Sequence, residues 1–213
     1  GALRALGADY VLDTNFGADL TIMEEANELI ERVVNGHGEL PQFTSCCPAW
    51  VKFAETYFPE YLPNISTTRS CIAMEAAMIK TYFAEKMNLD PSKIVSVSVA
   101  PCTAKKFEIR RPEQNKSAEY WNQEELRDTD YCLTTREFAQ WLRDEGVDFK
   151  EVEESAFDKY VGEATGGGVI FGNTGGVMEA ALRSAHYLVT GRNPDPDAFK
   201  IVRSPSFETG VVE

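Results

Sequence analysis

An α/β fold with a largely parallel sheet flanked by helices is what this 213-residue sequence predicts. Three observations carry that expectation. Short apolar runs of strand character, such as Ile94 to Val99, lead into segments of helical periodicity, the pattern of βαβ units and parallel strands. Gly, Pro, Asn and Asp punctuate the boundaries between the runs. Hydrophobic residues at 43% and charged residues at 26% are ordinary globular usage. A core for one large or two small lobes can therefore form, and a disordered or collagenous chain is excluded.

In chain order, Ala2, Leu3 and Leu6 read as the end of a helix closed by Gly7. Tyr10 to Asp13 reads as a strand. Thr21 and Glu24 form a capping box, and Ile22, Ala26, Leu29, Ile30 and Val33 fall on one face of a helix over 21–34, which Gly36 and Gly38 end. Phe43 to Cys47 is a short strand running into Pro48, Trp50 to Phe58 a helix, and Pro59 and Pro63 mark a loop. A longer helix runs from Ser70 to Met87. After the Asp90-Pro91 turn, Ile94 to Val99 alternates as a strand and delivers Ala100-Pro101-Cys102 to its carboxyl end. Residues 110–129 read as a polar surface excursion. Tyr131 to Leu133 is a second strand, and Thr135 caps a helix through Arg143. Gly166 to Gly172 is a glycine-rich turn before a helix from Gly175 to Val189, and Phe199 to Val202 is a last strand. The sequence opens without Met and stops at an apparent strand start, Gly210 to Glu213. The expectation is one partial domain, 1–213, truncated at both ends.

The net charge of −13 disfavours nucleic acid as a partner, because phosphate binding needs a basic stripe. No apolar run approaches the roughly 18–20 residues that span a bilayer, and the first residues lack a signal-peptide pattern, so a cytoplasmic location is expected. The five cysteines stand at 46, 47, 71, 102 and 132 with no C-x-x-C spacing, which argues against a secreted disulfide framework, a zinc ribbon or a self-contained ferredoxin. The two histidines, His37 and His186, are too few for a His-rich metal site.

Several motifs carry chemistry, each beside a plainer reading. Cys46 and Cys47 precede Pro48, so the pair is extended and its side chains point to opposite sides. One thiol can bind metal while the other does something else, or both are small core residues. Cys102 lies where a parallel strand ends, the usual place for ligand sites in α/β folds, with Lys105 and Glu108 following at helical spacing. A cation there favours the thiolate, although the pair also reads as an exposed Lys-Glu pair beside a buried thiol. Gly167 to Thr174 resembles a P-loop with Asn173 where the lysine belongs, which weakens a phosphate reading. Glu25, Glu28 and Arg32 form a row that can relay protons, though such a row is more often a solvated edge with an i,i+4 pair.

Taken together, the motifs resemble one family. Thr44-Ser-Cys-Cys-Pro-Ala-Trp50 resembles the first signature of the iron-only (FeFe) hydrogenases, and Pro101-Cys-Thr-Ala-Lys-Lys-Phe-Glu108 resembles the second. Ile170-Phe-Gly-Asn-Thr-Gly-Gly-Val-Met-Glu-Ala-Ala-Leu-Arg183 resembles the segment that follows, and Asp13 to Glu25 matches too. The resemblance covers nearly the whole chain. It implies an H-cluster, a 4Fe-4S cubane joined through a cysteine to a two-iron centre with CO, cyanide and a dithiolate bridge, catalysing 2H⁺ + 2e⁻ ⇌ H₂.

Carried across, the resemblance makes Cys47 and Cys102 two of the four cubane ligands, with the other two in a third signature beyond Glu213. The chain alone is then expected to be inactive and largely metal-free. Cys46 becomes the proton-passing thiol, continuing through Glu25, Ser66, Glu28 and Arg32. Lys105 pairs with a cyanide, Phe171 and Gly172 line the pocket, and Ser70 and Cys71 border it. The implied partners are protons and H₂, an electron carrier such as ferredoxin, and accessory iron–sulfur domains or subunits. Ala100 where Met is common, Ala49 where Gly is frequent and Cys71-Ile72 where Pro-Gln is usual mark a divergent subgroup. The alternatives are a hydrogenase-like iron–sulfur assembly or scaffold protein without the two-iron centre, a sensory hydrogenase, and a plain nucleotide-binding domain. Lys105 and Cys46 favour the hydrogenase, because a scaffold has no cyanide to hold and no proton to deliver.

Overall fold

The computed structural model describes residues 1–159 and 162–199. The expected strand from Phe199 and the one at Gly210 lie wholly or almost wholly outside these. The chain divides into two compact units, Gly1–Thr14 with Glu75–Glu163, and Asn15–Met74 with Ala164–Glu213.

The first unit holds the sheet. Strands β1 (Val97–Ala100) and β2 (Tyr131–Thr134) pair in parallel, with Val97 opposite Tyr131 and Ala100 opposite Thr134. Parallel pairing needs a crossover, and α6 (Lys105–Glu108) and α7 (Lys116–Trp121) lie in it. β1 starts later than the alternation predicts because the Ser96 amide is diverted, donating to Asp130 Oδ2 at 2.7 Å. The same carboxylate accepts from Lys80 Nζ at 2.8 Å, and Lys80 is only 2% exposed. Residues 110–129 are no surface excursion either. Asp128, 1% exposed, accepts from the Lys116 and Ser117 amides and the Ser117 hydroxyl, and so caps the short α7 from a distant loop.

The cap of α8 (Thr135–Asp144) is Thr134, one residue before the expected Thr135. Its hydroxyl accepts from the Glu137 amide while the Glu137 carboxylate accepts from the Thr134 amide, a full capping box. α1 (Ala2–Ala5) closes near Gly7, whose φ of +94° favours glycine. Tyr10 to Asp13 is not a strand. Val11 pairs with Asp158 instead, its carbonyl accepting from the Asp158 amide at 2.8 Å and its amide donating to the Asp158 carboxylate at 2.7 Å.

In the second unit, α2 (Thr14–Val34) begins well before the expected Thr21. Thr21 sits inside it and donates its hydroxyl to the Arg69 carbonyl. The buried face follows Ala18, Ile22 and Ala26 and takes in Glu25 and Arg32, whereas Val33 is 60% exposed. α3 (Pro48–Tyr57) runs into a 3₁₀ turn, Pro59–Asn64, where a loop is expected. The strand expected over Phe43 to Cys47 reduces to one parallel bridge, Phe43 to Ile65. The long helix after Ser70 forms as α4 (Cys71–Met78), which passes into the first unit at Glu75, and then, in that unit, a π turn Ile79–Phe83 and α5 (Ala84–Lys86). At the π turn the Lys80 carbonyl accepts from the Trp121 indole at 2.6 Å. The glycine run is itself a helix, α9 (Gly166–Phe171), followed by α10 (Gly176–Thr190).

Candidate functional site: a buried acid row

The second unit brings together Glu25, Glu28, Ser66 and Arg32. α2 puts the three charged residues on one flank through 3.6-residue spacing, and the segment after the 3₁₀ turn supplies Ser66. Arg32, 6% exposed, is the organiser. Its Nη1 donates to the carbonyls of Glu39 (2.8 Å), Pro63 (3.1 Å) and Asn64 (3.2 Å), and its Nη2 to that of Ile65 (3.1 Å) and to Glu28 Oε1 (2.6 Å). One guanidinium thus ties residues 39–65 to α2. The solvated-edge reading of this row does not hold.

Glu28 accepts from Arg32, from the Ser66 hydroxyl at 2.6 Å and from the Thr67 amide at 3.0 Å. Burial pushes its pKa upward, but the Ser66 hydroxyl, Arg32 and the Thr67 amide outweigh it and hold the carboxyl below its ordinary value. Glu25 is the opposite case. It is 2% exposed, and neither carboxylate oxygen has a hydrogen-bond donor among the described residues. Burial first, then the Glu28 charge, push it up to about 7; the Ser45 backbone and the Ser66 hydroxyl pull it down less, and neither makes a well-formed hydrogen bond to it. Two neighbouring carboxyls therefore differ in kind. One is a fixed anion and the other gains and loses a proton near neutrality.

Sequence reasoning missed Gln42, whose amide donates to the Glu25 carbonyl at 3.3 Å while its Oε1 is buried without a donor. Thr67 also escaped it. Nothing local marks either residue, since both act on a helix distant in the chain.

Cys47 is the N-cap of α3, extended at φ −99° and ψ 105°, and its Sγ accepts from the Trp50 amide at 3.5 Å. This thiol is exposed while Cys46 is half-buried. Ser70, 1% exposed, lies one residue before α4, and its hydroxyl accepts from the Ala73 amide; Cys71 is the first residue of that helix and half-buried.

Phe171 and Gly172 stand at the carboxyl end of α9, whose position Asp19 sets. That carboxylate accepts from the Thr165 hydroxyl at 2.8 Å and the Gly168 amide at 2.7 Å. No phosphate cradle is needed to explain these glycines. A Cβ on Gly168 would lie 2.4 Å from the Asn15 carbonyl oxygen, and one on Gly176 would lie 1.8 Å from that of Ile170. Gly176→Ala is accordingly expected to force the backbone apart where α9 meets α10. The expected loss is about 1–3 kcal/mol, of the kind overpacking causes, measured by urea unfolding.

In the first unit, Cys102 is half-buried just beyond β1, and its carbonyl accepts from the Lys105 amide. Lys105 Nζ pairs with Glu108 Oε2 at 2.9 Å, and the two residues are 8% and 5% exposed, so this pair is not the exposed one of the plainer reading. Cys132 is buried inside β2, as its strand position predicts.

Cys47 and Cys102 belong to different units, and the described residues contain no group of three His, Cys, Asp or Glu side chains that could hold a metal ion. The second unit itself holds a buried acid, Glu25, with open oxygens.

The described residues form a helix-rich α/β chain with a parallel strand pair and a buried acid row of Glu25, Glu28, Ser66 and Arg32. The chain belongs to the family described as iron only hydrogenase large subunit, C-terminal domain, whose model matches residues 1–212. It is 50% identical over 203 residues to the periplasmic Fe hydrogenase large subunit of Nitratidesulfovibrio vulgaris, a match covering 95% of this chain and 47% of that protein. It is 47% identical to iron hydrogenase 1 of Clostridium pasteurianum, covering 95% and 34%. A cytosolic Fe-S cluster assembly factor of Xenopus tropicalis is 33% identical, covering 99% and 44%. Among solved structures, an apo FeFe hydrogenase from Chlamydomonas reinhardtii superposes with a TM-score of 0.77 at 43% identity, covering 91% of this chain and 47% of that one. The chain thus spans between about a third and a half of the curated relatives it matches. No helix among the described residues is long and apolar enough to cross a membrane.

Proposed function

We propose that this chain is part of the catalytic domain of an FeFe hydrogenase that interconverts protons, electrons and H₂, and that its own share of the work is to hold half of the cluster and to carry protons. The observation that supports this best is Glu25, a fully buried acid without a hydrogen-bond donor and poised near neutrality, next to a carboxylate fixed as an anion. A proton route through protein needs a group of this kind, and this one stands in a row with Ser66, Glu28 and Arg32.

When bound, the H-cluster supplies the redox chemistry and the site of hydrogen bond-making. Cys47 and Cys102 would hold its cubane as two thiolate ligands, and Lys105, paired with Glu108, would bind a cyanide. Phe171, Gly172, Ser70 and Cys71 line the pocket. Cys46 exchanges protons at its Sγ, and Glu25 takes them at a carboxylate oxygen. The Ser66 hydroxyl stands between the two glutamates, and Glu28 with Arg32 forms the outer, charged end. Ferredoxin-like carriers and accessory iron–sulfur domains complete the electron path, in the cytoplasm.

The ligand assignment is tested by anaerobic iron and sulfide incorporation into the protein at its full natural length. Cys47→Ala and Cys102→Ala are expected to abolish the cubane signal in electron paramagnetic resonance, and Cys132→Ser to leave it intact. A cubane lost from the folded Cys132→Ser variant would overturn the ligand set. The assembly-factor relative supports a second reading, a cluster scaffold. It requires full cubane content with no two-iron centre after maturation, an outcome that iron counting separates from the first.

A further inference from the structure

Glu75 lies in the second turn of α4 and is 6% exposed, yet it belongs neither to the Glu25–Arg32 row nor to the Lys105 pair. Its Oε1 is buried with no hydrogen-bond donor among the described residues. Among the described residues the carboxylate of Asp13, directly before the first residue of α2, and the hydroxyl of Thr14 bear on it, the first favouring the proton and the second opposing it more weakly. All three residues belong to one compact unit, and they occupy two places where the chain leaves it, at Thr14 and at Glu75.

An ionised Glu75 here would be unfavourable on three counts: removed from water, short of a donor on Oε1, and beside a second negative charge. Either a proton or a cation relieves this. Metal ions need more ligands, about four for zinc and six to eight oxygens for calcium, and no group of three suitable side chains exists among the described residues. A proton needs one oxygen, and Oε1 is open.

We propose that Glu75 is a proton-binding site distinct from the relay, carrying a proton on Oε1 in the folded protein, and that loss of this proton weakens the Asp13–Thr14–Glu75 junction. Burial, followed by the Asp13 charge, pushes its pKa up to about 7 from the ordinary 4.5, against a smaller downward pull from Thr14. The folded state thus keeps a proton that the unfolded chain gives up. Stability falls as pH rises from about 4.5 and levels off above about 7.

The test is infrared spectroscopy of protonated carboxyl groups across this pH range, with thermal unfolding on the same samples, for the parent, Glu75→Gln and Glu75→Met. Glu25→Gln serves as the reference, because Glu25 is the other buried acid with a carboxylate oxygen that lacks a donor among the described residues. Glu75→Gln is expected to remove one carboxyl band titrating near about 7, which Glu25→Gln leaves in place, and to flatten part of the decline in unfolding temperature. Should Glu75→Gln fail to fold, Glu75→Met is read for the same missing band, and Asp13→Asn is expected to move the Glu75 titration to lower pH. An unchanged band in either Glu75 variant, or an unmoved titration in Asp13→Asn, overturns the proposal. So does a chelator that lowers the parental unfolding temperature above pH 7 but not that of the variant, since a cation would then be the occupant.

Discussion

Replacing Cys46 by Ala in the maturated, full-length protein is expected to leave both iron centres assembled while lowering H₂ turnover by roughly 10²–10⁴-fold, the range typical of a positioned proton-transfer group. A free thiol has a pKa near about 8.5, close enough to neutrality to accept and release protons, and Ala can do neither. The neighbour behaves differently. Cys47 caps α3 with an extended backbone, so the two side chains part, and Cys47→Ala is expected to lose the cubane itself. Glu25→Gln tests the next station: it fills the same volume but cannot ionise, and it is expected to suppress turnover with iron content unchanged. Near-parental rates in both Cys46→Ala and Glu25→Gln, with full iron, would route protons elsewhere and remove the roles of Ser66, Glu28 and Arg32 together.

The second large effect is on stability. Arg32→Met keeps much of the side chain's apolar stem but removes a guanidinium that serves four carbonyls and the Glu28 carboxylate. Breaking a buried ion pair by removing one partner typically costs about 3–5 kcal/mol, because the remaining charge is left uncompensated. A loss of that size is expected in urea unfolding at neutral pH. The pH dependence gives a second readout. The carboxyl of Glu28 is held below its ordinary value in the folded state, so its contribution is present above the unfolded value of about 4.5 and is lost as pH falls through the folded one. In Arg32→Met that acid-side loss is expected to shrink. A change under about 1 kcal/mol, the scale of an exposed pair, would show that Arg32 is only a surface residue.

Much of the fold was legible because its signals are local. Pro48 opening α3, the glycines after α2, the helix after Ser70 and the parallel strands around Val97 and Tyr131 each depend on residues within about a turn of one another. Local signals also misled. Thr21 and Glu24 have the spacing of a capping box, yet α2 continues seven residues upstream to Thr14, and Thr21 spends its hydroxyl on Arg69. The strand expected from Ile94 loses its start because Asp130, more than thirty residues on, takes the Ser96 amide.

By itself the sequence determined the family and the places of most helices and of the two parallel strands, since motif spacing and periodicity are properties of the chain. Only the tertiary structure decided which charged residues are buried and which carboxyls hold protons. Glu25 and Glu28 are three residues apart on one helix and of one chemical type. One is left without a donor while the other is surrounded by Ser66, Thr67 and Arg32, and that difference comes from a segment some forty residues away. Glu75 has the same origin: on α4 it reads as one more helix residue, until folding sets Asp13 against it and removes the water. Burial and proximity of distant charges set a pKa, and neither is written in local spacing.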